Sequence, residues 1–172
     1  CGGGGGSSPQ PNVPQVGAIY PSLFAPMVPA KFKDADTPFV VQAHYQFLAN
    51  GQTGPIPVKV YQLSDTGTIT DATTDILGGA VIASTNKPVI ADFNHDGIDD
   101  IFLAGFSDTQ LLLPSVAFIS RPGQSHARVD LPDLVWAHDA IAVDANNDGH
   151  VDVMDNWGNV WFNNGTGSFT FR

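Results

Sequence analysis

The feature that most constrains this chain is a nine-residue acidic pattern, Asp-x-Asn-x-Asp-Gly-x-x-Asp, which occurs twice. It runs over Asp92–Asp100 and again over Asp144–Asp152, so the two copies start 52 residues apart. Apolar and β-branched residues flank both copies, which is typical of strands rather than helices. Repetition at such a distance indicates one supersecondary unit of about fifty residues that is used more than once. The pattern therefore favours a fold built from repeated β units.

A second pair of similar segments supports this interpretation. Tyr61–Thr70 and Trp161–Thr170 each contain an apolar strand, a glycine turn, a hydroxyl-bearing residue and another apolar residue. The order along the chain is hairpin, acidic loop, acidic loop, hairpin. This order predicts two to two and a half copies of the unit.

The remaining sequence also reads as short strands separated by turns. The chain contains 18 Gly and 13 Pro, and all 17 of its acidic residues are Asp, a residue that favours turns and caps over helix interiors. No window predicts an amphipathic helix of twelve residues. The sequence thus predicts an all-β sandwich, barrel or propeller. The predicted strands are Phe39–Phe47, Val58–Leu63, Val81–Ser84, Val89–Asp92, Ile101–Phe106, Val116–Ser120, Leu134–Trp136, Ala140–Val143, Val151–Met154 and Val160–Phe162.

Charge and composition exclude several classes of protein. The formal net charge of −10 argues against a nucleic-acid partner, because a protein that binds nucleic acid needs a basic face. No run of 18 apolar residues predicts a membrane-spanning helix. Cys1 is the only cysteine, so the sequence predicts neither an internal disulfide nor a zinc site of the cysteine type.

The first residues predict a tether. Cys1–Gln15 is rich in Gly, Ser and Pro and carries no charged side chain, and we expect a flexible segment over residues 1–19. The segment resembles the processed N-terminus of a bacterial lipoprotein. The resemblance implies a lipid on Cys1, attachment to a membrane, and a location in the bacterial cell envelope, at the outer membrane or cell surface. The alternative is an arbitrary chain boundary with a free thiol.

The acidic pattern itself predicts two Ca²⁺ sites, one in each loop. Ca²⁺ prefers six to eight oxygen ligands, and oxygen-bearing side chains occupy positions 1, 3, 5 and 9 of each copy. Glycine at position 6 permits a sharp turn, and we expect the backbone carbonyl of position 7 to contribute. The alternative is a pair of Asx turns without metal, but three converging carboxylates repel one another unless a cation lies between them. The predicted ligands are Asp92, Asn94, Asp96, Ile98 (carbonyl) and Asp100, then Asp144, Asn146, Asp148, His150 (carbonyl) and Asp152.

These loops are not EF-hands. An EF-hand needs a bidentate Glu at position 12, where this chain has Leu103 and Asp155, and it needs flanking helices. The string Ile90–Ile101 instead resembles the FG-GAP/VCBS-type repeat of integrin alpha propellers and bacterial surface proteins. Trp161–Phe169 is similar to the hairpin of that family.

The resemblance covers about Val58–Phe171 and implies four-stranded β-propeller blades with calcium in a loop between the outer strands. It assigns residues 58–172 to the repeat region and leaves residues 20–57, which lack an acidic loop, as an atypical β segment or a degenerate blade. A propeller closes with four to eight blades, whereas this sequence supplies at most about three. We therefore expect an incomplete propeller, the N-terminal part of a longer chain; the alternative is an independently stable small domain.

The function that follows from the sequence is non-enzymatic. There is no Gly-x-Ser-x-Gly elbow and no phosphate-binding glycine loop. Trp136, Trp157 and Trp161 suggest either a sugar-binding platform or, with more weight, core packing. We expect a calcium-stabilised envelope domain that binds a protein or glycan. The alternative is a scaffold part of an envelope enzyme whose active site lies outside this chain.

Overall fold

The computed structural model describes residues 27–33, 37–43, 45–47, 53–83, 85, 87–106 and 113–172. Almost all regular structure in this part of the chain is β, as predicted. One short helix, α1 (Thr73–Leu77), ends at Gly78, which adopts a left-handed conformation with φ of 75°. The strands are β1 (Met27–Ala30), β2 (Phe39–Gln42), β3 (Tyr45–Phe47), β4 (Thr53–Pro57), β5 (Lys59–Leu63), β6 (Ile69–Asp71), β7 (Ile82–Ala83), β8 (Pro88–Ala91), β9 (Asp100–Leu103), β10 (Val116–Ile119), β11 (Ala127–Asp130), β12 (Ala140–Val143), β13 (Asp152–Asp155), β14 (Val160–Asn163) and β15 (Phe169–Phe171).

The strands form three four-stranded antiparallel sheets and one small three-stranded sheet. The first sheet has the order β1-β2-β5-β6, and strands β3, β4 and β7 form the small sheet. The second sheet (β8 to β11) and the third sheet (β12 to β15) are simple meanders in which each strand pairs with the next. The first sheet combines strands from both sides of the predicted boundary at residues 57 and 58.

The two hairpins that match in sequence also match in register. In the first sheet Leu63 pairs with Ile69, and in the third sheet Asn163 pairs with Phe169. Each turn is closed by an equivalent backbone hydrogen bond, from Ser64 N to Thr68 O (2.9 Å) and from Asn164 N to Ser168 O (3.1 Å). These hairpins therefore supply the third and fourth strands of their sheets.

The three large sheets stack face to face, with the second sheet in the middle. Strands β9 and β10 are buried along their whole length. Because successive side chains in a strand point to opposite faces, Ile101 and Phe118 pack toward the first sheet. Phe102 and Ala117 pack toward the third sheet, against Trp161. The middle sheet thus contributes to two apolar cores.

The first strands of the three sheets lie side by side. Strand β8 contacts β1 of the first sheet and β12 of the third sheet. The connection that follows each first strand is therefore brought to a common region of the molecule.

One predicted strand is wrong. Leu134–Trp136 forms no strand, and only an isolated bridge joins Trp136 to Phe106. Residues 131–139 are the connection between the second and third sheets, and their side chains alternate between buried and exposed. That alternation imitates a strand, but its buried members fill the core without a neighbouring strand to pair with.

Two further predictions concern the N-terminal tether and membrane-spanning helices. Cys1 and the tether over residues 1–19 lie outside the described residues. Within the described part of the chain, no helix is long and apolar enough to cross a membrane.

Candidate calcium loops

Each acidic loop connects the first strand of its sheet to the second. The first loop joins β8 to β9, and the second loop joins β12 to β13. Strands β8 and β12, which the two loops follow, are edge strands of their sheets and contact each other. The two loops are consequently close to the region where the sheets meet.

In the first loop the side chains fold back onto the loop backbone. The Asp92 carboxylate accepts hydrogen bonds from the N–H groups of Asp96 (3.1 Å) and Gly97 (2.8 Å). Asn94 Oδ1 also accepts from Asp96 N (3.2 Å), and Asp96 Oδ1 accepts from Ile98 N (2.9 Å). These bonds curl the loop so that positions 1, 3 and 5 belong to one network.

The second loop repeats this network. Asp144 accepts from the N–H groups of Asp148 (3.2 Å) and Gly149 (3.0 Å). Asn146 Oδ1 accepts from Asp148 N (2.9 Å), and Asp148 Oδ1 accepts from His150 N (2.8 Å). The His150 N–H group and the Asn146 side chain hold the pKa of the Asp148 carboxyl below its ordinary value. The two loops therefore have the same local structure as well as the same sequence pattern.

Both loops contain the same left-handed residues. Gly97 and Gly149 have φ of 83° and 86°, as expected for the glycine at position 6. His95 and Asn147 at position 4 both have φ of 60°, a conformation that is uncommon for residues other than glycine. Asn tolerates it comparatively well, whereas His95 is the more demanding choice.

The position-9 carboxylates are buried and tie each loop to the third strand of its sheet. Asp100 accepts from Phe93 N and from Ser120 N, both at 2.7 Å. Burial raises the pKa of the Asp100 carboxyl, and the nearby Asp96 charge adds to this effect, while the Ser120 and Phe93 hydrogen bonds oppose it. The buried Asp100 side chain therefore links the start of the first loop to the residue that follows β10.

Asp152 has the same role in the second loop. It accepts from Ala145 N (3.0 Å) and from Asn163 N (2.8 Å), and it is fully buried. The equivalence of the two loops thus extends from position 1 to position 9.

The two loops are joined to each other through Asn163 and a histidine pair. Asn163 Nδ2 donates to Phe93 O in the first loop (2.8 Å) and to Val151 O in the second (3.0 Å). His95 Nε2 and His150 Nδ1 lie 3.1 Å apart. The loops form one connected structure rather than two independent turns.

Two residues in this structure were missed in the sequence analysis. Ser120 Oγ donates to Asp96 Oδ2 (2.7 Å), and Asn94 Nδ2 donates to the same oxygen (3.1 Å). Asn163 was assigned only to a hairpin turn. Its position directly after an apolar strand was a signal for a buried cap, but nothing local in the sequence indicates its contact with Phe93.

The donor chemistry of the loops suits a hard cation. Each loop offers three carboxylates and one amide oxygen, and a carboxylate has about four lone-pair sites, of which the observed hydrogen bonds use only some. No ion pair in the described part of the chain involves a loop carboxylate. The ion pairs are Lys33–Asp75, Lys59–Asp71, Lys87–Asp139 and Arg128–Asp130.

The described side chains do not converge as a ready-made metal centre. Across the described ranges, no group of three or more His, Cys, Asp or Glu side chains comes together in a way that could hold a metal ion. In comparisons with protein-family models, curated proteins and solved structures, the chain matches none. The calcium sites and the FG-GAP/VCBS resemblance therefore stay predictions.

Proposed function

We propose that this chain is a calcium-binding repeat domain that binds a protein or glycan partner and does not catalyse a reaction. The observation that carries the proposal is the duplicated loop network, found at the same position in two equivalent meanders. Asx turns alone would explain the bonds around positions 1 to 6. They do not explain why both loops carry carboxylates at positions 1, 5 and 9 of nine residues when, in the described part of the chain, no Lys or Arg pairs with them.

The proposal includes blades of the β-propeller type. Its support is the face-to-face stacking of three four-stranded sheets and the contact of β8 with β1 and β12. Meanders whose first strands lie side by side are the arrangement from which propellers are built.

In the proposed metal state the ten predicted ligand positions hold two Ca²⁺ ions. A bound cation supplies positive charge to a loop that contains no Lys or Arg, and a cation that binds only the folded state stabilises that state. The protein's contribution is to curl each loop, through the bonds to Asp92 and Asp144, and to fix its base through Asp100 and Asp152. Side chains that now bond to the loop backbone must turn toward the ion.

The first test is thermal unfolding with excess Ca²⁺ and with a chelator. At a free concentration one hundred times the dissociation constant, one site adds about 2.7 kcal/mol. For a chain of this length that corresponds to a rise in Tm on the order of 5–10 °C. Equal melting temperatures in the two conditions would show that calcium does not bind to and stabilise the folded chain.

The second test assigns the sites. Asp96→Asn and Asp148→Asn should each reduce the calorimetric stoichiometry from two ions to one, and the double variant should bind none. The matched control is Asp65→Asn, because Asp65 is an exposed aspartate in a hairpin turn outside the loops. A stoichiometry that does not respond to the loop variants would show that any bound calcium lies elsewhere.

The envelope location is a separate part of the proposal. It depends on the lipoprotein-like Cys1–Gln15 segment and not on the loops. Mass spectrometry of the native protein should find acyl chains on Cys1, and a free thiol there would contradict this part alone.

A further inference from the structure

The three tryptophans of this chain have different environments. Trp161 is fully buried in the core between the second and third sheets. Trp136 and Trp157 are 55% and 65% exposed, among the most exposed large apolar side chains that the structure describes. The core-packing interpretation thus holds for Trp161 but not for the other two. Exposed tryptophans that lie together indicate a binding surface more often than isolated ones do.

Trp136, His138 and Trp157 form a row of aromatic rings, which we call the ring row. The His138 ring lies 5.7 Å from Trp136 and 6.4 Å from Trp157, measured between ring centroids. Phe106 supports the row from the buried side, with its ring 5.0 Å from His138 and 6.0 Å from Trp136. The result is an extended aromatic strip with a packed base.

Hydrogen bonds to the backbone hold the ring row in place. Trp157 Nε1 donates to Trp136 O (2.8 Å), which joins its two ends. Asn156 Oδ1 accepts from His138 N (2.9 Å) and from Asp139 N (3.2 Å). Trp157 N donates to the buried Asp155 carboxylate (2.9 Å). A surface that is ordered before binding loses less entropy when a ligand arrives.

The charges around the ring row favour a neutral ligand. Asp139 faces Lys87 at 3.7 Å, and the Asp155 carboxylate is occupied by Asn159 and by the turn backbone. A stacked nucleobase would need a cationic groove for its phosphates. A quaternary ammonium group binds best inside a cage of aromatic faces, whereas the rings here form a row. Neither a cationic groove nor such a cage is present among the described residues at this surface.

The free polar groups at the ring row are hydrogen-bond donors suited to hydroxyl oxygens. Asn156 Oδ1 is occupied, which leaves the Nδ2 group without a hydrogen bond in the described part of the chain, and the same holds for Trp136 Nε1. A shallow groove begins at Asn156 and continues over Asp139, Ile141 and Met154. Sugar rings present apolar C–H faces for stacking and hydroxyl groups for such donors.

We propose that the ring row and the adjoining groove bind a neutral oligosaccharide. Two consecutive sugar units stack on Trp136 and Trp157, and their hydroxyl groups accept from Asn156 Nδ2 and Trp136 Nε1. The proposal rests on the binding role given above and specifies the ligand as a glycan. It does not depend on calcium, because none of these residues belongs to either loop.

The test is a titration of the full chain with chitohexaose, maltohexaose, laminarihexaose, xylohexaose and mannohexaose, followed by the indole N–H signals in NMR spectra. At millimolar concentration at least one of these sugars should shift the signals of Trp136 and Trp157 and leave that of Trp161 unchanged. Trp157→Ala and Trp136→Ala should each weaken binding about tenfold. Trp157→Phe keeps a stacking ring and should lose less. The matched control is Ile69→Ala, which removes another exposed apolar side chain from a distant strand.

Three outcomes would overturn the proposal. The first is that no sugar in the panel shifts either signal, while the spectrum shows a folded protein. The second is that folded Trp157→Ala and Trp136→Ala bind as tightly as the parent. The third is that choline shifts both signals and the sugars do not, which would assign the surface to cations. Repeating the titration with a chelator separates this result from the calcium tests, because sugar binding should persist.

Discussion

Replacing Asn163 by alanine is expected to destabilise both acidic loops at once. The Asn163 side chain is 2% exposed and makes four hydrogen bonds. Its Nδ2 group donates to Phe93 O and Val151 O, and its Oδ1 atom accepts from Gly165 N (3.2 Å) and Gly167 N (3.1 Å). Alanine removes all four bonds and offers no substitute.

The expected loss is about 3–5 kcal/mol in the free energy of unfolding. Each lost bond costs about 1 kcal/mol, and a partner that stays buried costs more. Phe93 and Gly167 are buried, so water cannot easily replace their lost partner. A domain is typically stable by about 5–15 kcal/mol, so this single change removes a large fraction. Urea unfolding, followed by the fluorescence of the buried Trp161, measures the loss directly.

The neighbouring Asn164 provides the control. It is exposed, and among the described residues its Oδ1 atom accepts only from Thr166 N (3.0 Å) and Thr166 Oγ1 (2.7 Å). Because water can replace these bonds, Asn164→Ala should cost less than about 1 kcal/mol. If the Asn163 and Asn164 variants unfold at the same urea concentration, the loops are not joined in the way described. A second readout is calcium binding, which Asn163→Ala should weaken at both sites.

Two further predictions use other parts of the structure. Hydrogen bonds from Lys59, first, and from Thr73 lower the pKa of Asp71 to about 2, so the stabilisation from these bonds is present above the ordinary value of 3.8 and is lost as the pH falls toward 2. In Lys59→Met the pKa of Asp71, measured by NMR titration, should rise toward that value, and an unchanged pKa would contradict the assignment. A Cβ added at Gly165 would overlap the His150 ring, whereas one at Gly158 meets nothing within 4 Å, although both residues have positive φ. Gly165→Ala should therefore lower stability by at least about 1 kcal/mol more than Gly158→Ala, and equal losses in thermal unfolding would show that the ring moves aside freely.

Local features of this fold were predictable because they depend on local chemistry. The spacing of Asp, Asn and Gly in Asp92–Asp100 sets the turn conformation whatever surrounds it, and the same residues give the same bonds in Asp144–Asp152. Strands with dense β-branched and aromatic residues, such as Val116–Ile119, were likewise predictable. Strand β11 was missed because it is only four residues long and Val129 is its only strand-favouring apolar residue.

Long-range features were not predictable in this way. The pairing of β2 with β5 passes over an insertion that contains β3 and β4, and no local residue signals that skip. The connection over residues 131–139 misled the prediction because Leu134, Val135 and Trp136 form a short apolar run, and such runs occur both in strands and in connections that cover a core. Distinguishing them requires knowledge of how the backbone groups are paired. Leu131 N donates to Ser115 O and Ala137 N donates to Gly105 O, and neither bond belongs to a ladder between two strands.

The two loops differ at position 2, and that difference reflects their surroundings. Phe93 in the first loop is fully buried and packs against Phe169 of the third sheet, with their ring centroids 5.2 Å apart. Its counterpart Ala145 in the second loop is exposed. Because positions 1, 3, 5 and 9 have identical residues in both loops, position 2 cannot be explained by the loop's own structure. A large apolar residue at position 2 therefore indicates that another sheet covers the loop, and a small one permits the loop to face solvent.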